Sequence, residues 1–248
     1  MRDKGLEKIL PAISNRSNFL DDYLPAKEGG GYFGRSLVFE IDVLFIFKNE
    51  ELCATHQVAY MQLLREFESL DNDFEKLHRK AREIKEKLGE GASVENFEYA
   101  YHQQLKVLHG QENFLNSIKS FTDQHFVVGL RALVEQNLAK VLNIYKEKTD
   151  SNFGIPYSWD KIIALLSSLN VNTDQNLPVY KNTNELRVLN NKIKHLNEVD
   201  SRLAEFFYFQ DKQGEDLDKV NLELQRYADY AYAFLVFIGE QLHVEKDK

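Results

Sequence analysis

A chain of 248 residues, 43% hydrophobic and 12% aromatic, carries enough apolar material for a sizeable core, which excludes a disordered chain. Its formal net charge of −8 excludes a general nucleic-acid coat, whose affinity comes from Lys and Arg on phosphates, although 31 Lys and Arg still suffice for a local basic pocket. One cysteine, Cys53, excludes an intrachain disulfide and a multi-cysteine zinc site.

The opening "MRDKGLEKILPAISNRS" lacks the apolar centre of a signal peptide. The most apolar run, "SLVFEIDVLFIF", contains Glu40 and Asp42 and falls short of a membrane span. The expectation is a cytoplasmic protein with no membrane association, no cofactor and no metal. Residues 1–34 read as irregular and end in "EGGGYFGR", whose glycines mark a turn or linker. That stretch lacks the Lys-Ser/Thr ending of a phosphate-binding loop.

Between 36 and 47, Leu37, Phe39, Ile41, Val43, Phe45 and Phe47 alternate as in a strand. No second stretch offers a pairing strand, so a buried helix is the better reading. From Glu51 to Leu88 the apolar residues Tyr60, Leu63, Phe67, Leu70, Phe74, Leu77, Ala81 and Ile84 step by threes and fours, predicting a long helix with one apolar seam. "GEGAS" at 89–93 breaks it, and Val94 to Ile118 continues at helical spacing. Together these predict an antiparallel hairpin with the seam as internal core.

A third helix is predicted over 122–148, then a short one in "WDKIIALLSSLN", with Ser158 as N-cap and Asp160 in the first turn. Asn182 and Glu185 stand three apart like a capping box opening a further helix that runs to Leu203. An aromatic cluster and a polar turn lead to a last helix bearing Val220, Leu224, Tyr227, Ala231, Phe234, Ile238 and Leu242. The predicted class is all-α: a helical bundle with a long antiparallel helical hairpin.

On the helix from Asn182, the period of 3.6 gathers Leu186, Leu189, Ile193, Leu196, Val199 and Leu203 on one side. Arg187, Asn190, Asn191, Lys194 and His195 fall on the other. A solvated amphipathic face accounts for this stripe. So does a site for metal-independent RNA cleavage, with histidine as acid/base and Arg or Lys stabilising phosphoryl charge. Lesser candidates are the pair His102 and His109, the pair Cys53 and His56, and Glu135, which either faces the motif helix or sits on the surface.

The order "SWDKIIALLSSL", polar loop, "NELRVLNNKIKH", aromatic turn and "LELQRYADYAYAFLVFIGEQL" resembles the second half of a HEPN domain. HEPN ribonucleases, helical bundles of prokaryotic defence and toxin systems, share a motif of Arg, four to six residues, then His. His195 matches the motif histidine and Asn191 the polar residue four before it. Asn190 stands where the common form has arginine, and the nearest upstream arginine is Arg187. The pattern thus divides the chain into an irregular 1–34 and a hairpin region at 35–118, and the resemblance, over roughly 122–244, implies a HEPN-like bundle at 119–248. It implies His195, Asn191 and Arg187 as catalytic residues, Lys194 and Asn190 as RNA-phosphate ligands, and a composite site in a homodimer. A toxin or antiviral role, with RNA as substrate and an antitoxin or sensor as partner, follows from it. The alternative is a noncatalytic HEPN-like dimerisation or partner-docking module.

Overall fold

The computed structural model describes residues 32–87 and 92–242; these are 78% helical and contain five α-helices and no strand. Helix α1 is Tyr32–Lys87 and α2 is Ala92–Lys148. Helix α3 is Trp159–Ser168, α4 is Pro178–His195 and α5 is Leu224–Gln241. Single 3-10 turns at Phe207–Phe209 and Leu217–Lys219 sit in the connection before α5. The segment expected to be irregular lies outside the described residues up to 31, and its last three residues already belong to α1. The expected break at 89–93 lies outside them for 89–91, and α2 has begun by Ala92.

The ambiguous run at 36–47 is helix. Leu37, Ile41 and Phe45, four apart, are fully buried, whereas Phe47 is exposed. The exposure of Phe47, two after Phe45, departs from the alternation of a strand. Helices α1 and α2 form the antiparallel hairpin: Leu52 meets Gly129, His56 meets Asp123, His78 meets Tyr101 and Lys85 meets Glu98. The α1 seam is its internal core, with Leu63, Phe67, Leu70 and Ala81 buried. A β-carbon at Gly129 would lie 2.8 Å from Leu52 Cδ1, the tip of a flexible side chain, so the two helices approach closely there and a larger residue would turn Leu52 aside.

Two corrections concern helix ends. The helices read as separate at 94–118 and 122–148 are one helix of 57 residues, about 85 Å long at the standard rise. The stretch 119–121 has no glycine or proline to stop it. Thr122, a polar residue in the apolar stripe, stays helical by donating its hydroxyl hydrogen bond to Ile118 O at 2.8 Å. Nor do Asn182 and Glu185 form a capping box. Helix α4 starts four residues earlier with Pro178 in its first turn, where the missing N–H costs nothing. Asp160 does stand in the first turn of α3, and Ser158 takes the N-cap position without a side-chain capping bond.

The core is organised around α5. Every residue from Ala231 to Gly239 is buried, so this helix is enclosed on all sides by α1, α2 and α4. Phe45 of α1 stacks on Tyr232 at 5.9 Å between ring centres. Phe234 touches Trp159 at 5.7 Å and Tyr180 edge-on at 5.5 Å, joining α3, α4 and α5. Among the described residues no helix is long and apolar enough to cross a membrane.

Candidate functional site

Helix α4 is held on both sides, and that determines which of its polar residues reach solvent. Val179, Tyr180, Thr183, Leu186, Val188 and Leu189 are buried, and Thr183 returns its hydroxyl to Val179 O at 2.7 Å. Glu185, 4% exposed, receives two hydrogen bonds from Arg226 of α5 at 2.5 and 3.1 Å and a third from the Tyr227 hydroxyl at 2.8 Å. Burial works against the Arg226 charge, but Glu185, with Tyr227 and Glu223, raises its pKa above the usual value. Burial, then the Glu185 charge, pushes the Tyr227 phenol well above its ordinary range, so it stays a donor.

The polar stripe divides into parts with different environments. Asn190 belongs to the core: it is 4% exposed, its Nδ2 donates to Asn191 Oδ1 at 3.3 Å, and its Oδ1 has no partner among the described residues. Asn191, Lys194 and His195 are exposed, and α4 ends at His195. The helix was expected to continue to Leu203. Instead Asn197 adopts φ 51°, the left-handed conformation that asparagine tolerates, and its N–H bonds Lys192 O at 2.7 Å. Asn197 Oδ1 accepts from Gln124 of α2 at 2.8 Å, fixing this turn to the hairpin. Consequently Leu196 is 61% exposed, while Val199 and Leu203 reach the core from the following loop.

Arg187 is half-buried and anchored. Its Nε and Nη2 donate to Asn184 Oδ1 at 3.0 and 2.8 Å, and its guanidinium lies 5.9 Å from the Trp159 ring centre. The same ring carries Arg131 of α2 at 5.1 Å. Arg131 is 4% exposed; Nη2 pairs with Glu135 at 3.0 Å, while Nε and Nη1 have no partner among the described residues. Burial and then Arg202 lower the Arg187 pKa, opposed by Asp160. Burial lowers that of Arg131, with Glu135 opposing and Arg187 reinforcing. Three arginines therefore gather at the junction of α2, α3 and α4. Glu135 is a half-exposed carboxylate serving Arg131, one guanidinium removed from the motif helix.

The chain matches no family model, no curated protein and no solved structure.

Arg187 and His195 do not meet within one chain. Eight positions separate them, about 12 Å of helix rise, and Arg187 is committed to Asn184 and Trp159. Arg131, Arg202 and Trp159 escaped the sequence reading because they come from three distant segments. The only local hint was an arginine beside Leu130 on an apolar helix edge.

The lesser candidates resolve as follows. Cys53 and His56 do not form a thiol–imidazole pair. The Cys53 thiol donates to Asn49 Oδ1 at 3.8 Å, and His56 Nε2 bonds Asp123 Oδ1 at 2.9 Å, with Lys119 on the other Asp123 oxygen. Burial, then Glu50 and Asp229, pushes the Cys53 pKa up to about 11. A raised pKa favours the neutral thiol: its stabilising contribution is whole below pH 9.0 and is lost as pH climbs toward 11. At pH 8, alkylation of the native protein by iodoacetamide should run about 100-fold slower than in urea, which mass spectrometry will read directly. His102 and His109 are both exposed, and His109 bonds Glu112 at 3.3 Å. Among the described residues no group of three or more His, Cys, Asp or Glu is placed to hold a metal.

Proposed function

We propose that residues 119–242 act as a HEPN-like module that binds RNA through its phosphates at the arginine cluster, without cutting it within one chain. The observation behind this reading is that Arg131 and Arg187 share the Trp159 ring with Arg202 close by. The buried Nε and Nη1 of Arg131 have no partner among the described residues, while Glu135 offsets the Arg131 charge and Asp160 that of Arg187. A phosphodiester oxygen is the kind of ligand such guanidinium forks take. Confinement of the charge to one junction reconciles RNA binding with the overall charge of −8.

Fluorescence anisotropy with a labelled single-stranded RNA tests it. Arg187→Gln should weaken binding about tenfold, roughly 1.4 kcal/mol, with Arg187→Lys intermediate. His195→Ala should bind as the wild type does. Unchanged affinity in Arg187→Gln would overturn the reading. The catalytic alternative draws on the exposure of His195, Asn191 and Lys194 at the end of α4, where a second copy would have to bring an arginine. RNA cut by the wild type and left intact by His195→Ala would establish that alternative. A toxin role restrained by an antitoxin or sensor protein goes with it.

A further inference from the structure

Beyond the arginine cluster, the molecule's most unusual surface is an exposed face of α2, which borders α1 at Phe114. Tyr99, Val107, Phe114 and Phe121 are 69%, 61%, 65% and 66% exposed, and they recur at steps of seven or eight. At about 100° per residue they share one sector of the helix, opposite the half-buried Phe97, Tyr101, Leu105 and Leu108 that face α1. Within a chain that is 28% charged, that sector holds no Asp, Glu, Lys or Arg from Asn96 to His125. Helical spacing, exposure and missing charge together are the signature of a coiled-coil seam with no partner in this chain.

The seam has an internal symmetry that identifies its occupant. Gly110 lies at its centre, with nothing within 4 Å of where a β-carbon would stand. Tyr99 precedes Gly110 by eleven positions and Phe121 follows by eleven. Gln103 and Ser117 lie seven away on either side, and Val107 and Phe114 lie three and four away. Read from either end, large apolar residues stand at about the same distances from the glycine, with the polar Gln103 and Ser117 between them. About a two-fold axis through the glycine, this face sets apolar residues of one copy against apolar residues of the other, the reciprocal pairing of an isologous contact. The glycine sits where two crossing helices come closest, and in a reversed copy Tyr99 falls opposite Phe121, Val107 near Phe114 and Gln103 opposite Ser117.

We propose that two copies of this chain pair antiparallel through this face of α2 and cross at Gly110. Complete burial of the four exposed side chains removes about 500 Å² per copy, roughly 1,000 Å² in the pair, the size of a weak, reversible dimer contact. Charge stands only beside the stripe: Lys106 next to Tyr99, Glu66 and Asp73 of α1 in a groove with Phe114, and Asp216, Asp218 and Lys219 in one with Ser117. In such a dimer the α4 ends stand far apart. Gln124, which holds the Asn197 turn after α4, is about 21 Å along α2 from Gly110, so the two His195 sites lie roughly 40 Å apart. The two His195 ends therefore form no composite site at this interface.

Sedimentation equilibrium at tens of micromolar should give twice 28.9 kDa for the full chain. Phe114→Lys and, at a second site, Val107→Lys should each raise the dimer dissociation constant at least tenfold while leaving far-UV circular dichroism unchanged. Gly110→Cys should cross-link two copies on oxidation, whereas Arg65→Cys on the exposed side of α1 should not; the buried native Cys53 stays silent in both. A monomeric wild type would overturn the proposal and leave the seam to a different protein. A dimer indifferent to both lysines, or one that Gly110→Cys fails to cross-link, overturns it equally.

Discussion

Phe234→Ala should lower the unfolding free energy by about 3–5 kcal/mol, the largest loss expected of any single substitution in the C-terminal bundle. The ring is fully buried on α5, a helix enclosed on every side, and it joins Trp159 of α3 to Tyr180 of α4. Truncation removes the transfer free energy of the ring and both aromatic contacts, and it opens a void that three helix backbones cannot close together. Urea unfolding followed by circular dichroism will show the midpoint fall with an unchanged slope if the native fold persists. Phe234→Leu keeps most of the volume and should recover more than half of the loss. The same variant bears on function, since Trp159 is the platform under Arg131 and Arg187. A loosened Trp159 should weaken RNA binding at temperatures where the variant is still folded.

Glu185→Ala should cost about 3 kcal/mol. The carboxylate accepts two hydrogen bonds from Arg226 and one from Tyr227, so its removal leaves a guanidinium and a fully buried hydroxyl without their acceptor. The Arg226 side chain is 24% exposed and also meets Glu223 at 2.7 Å, which holds the loss to the lower part of the range for broken buried ion pairs. Replacing the whole group, with Glu185→Met, Arg226→Met and Tyr227→Phe together, should restore most of the stability, because no polar group is then left unpaired. A double-mutant cycle on Glu185 and Arg226 will show coupling of 1–3 kcal/mol. If the single and triple variants are equally unstable, packing rather than the ion pair holds α4 to α5.

These two substitutions mark where local pattern ended and packing began. The heptad seam of α1 was legible because Leu63, Phe67 and Leu70 repeat at the helical period, and a period survives any choice of partner. The join at 118–122 was misread because the stripe passes through polar Thr122, whose hydroxyl found an acceptor within its own helix. Glu185, three after Asn182, has the spacing of a capping box and nothing more. Its actual partners lie about forty residues ahead on α5, beyond the reach of any local rule. Asn190 was placed on the polar face and is buried, because α4 is covered over far more of its circumference than an amphipathic helix is.

The sequence by itself determined the all-α class, the antiparallel hairpin with its internal seam, the helix at Trp159 and the polar residues of α4. Each of these depends on spacing along one segment, which the 3.6-residue period and a few turn residues dictate. Only the tertiary structure decided that Arg187 joins Arg131 over Trp159 rather than His195, that Cys53 and His56 have separate partners, and that one face of α2 is left uncovered. Those outcomes depend on which helices touch. Contacts between distant segments are set by the packing of the whole core, and no single stretch of the chain contains them.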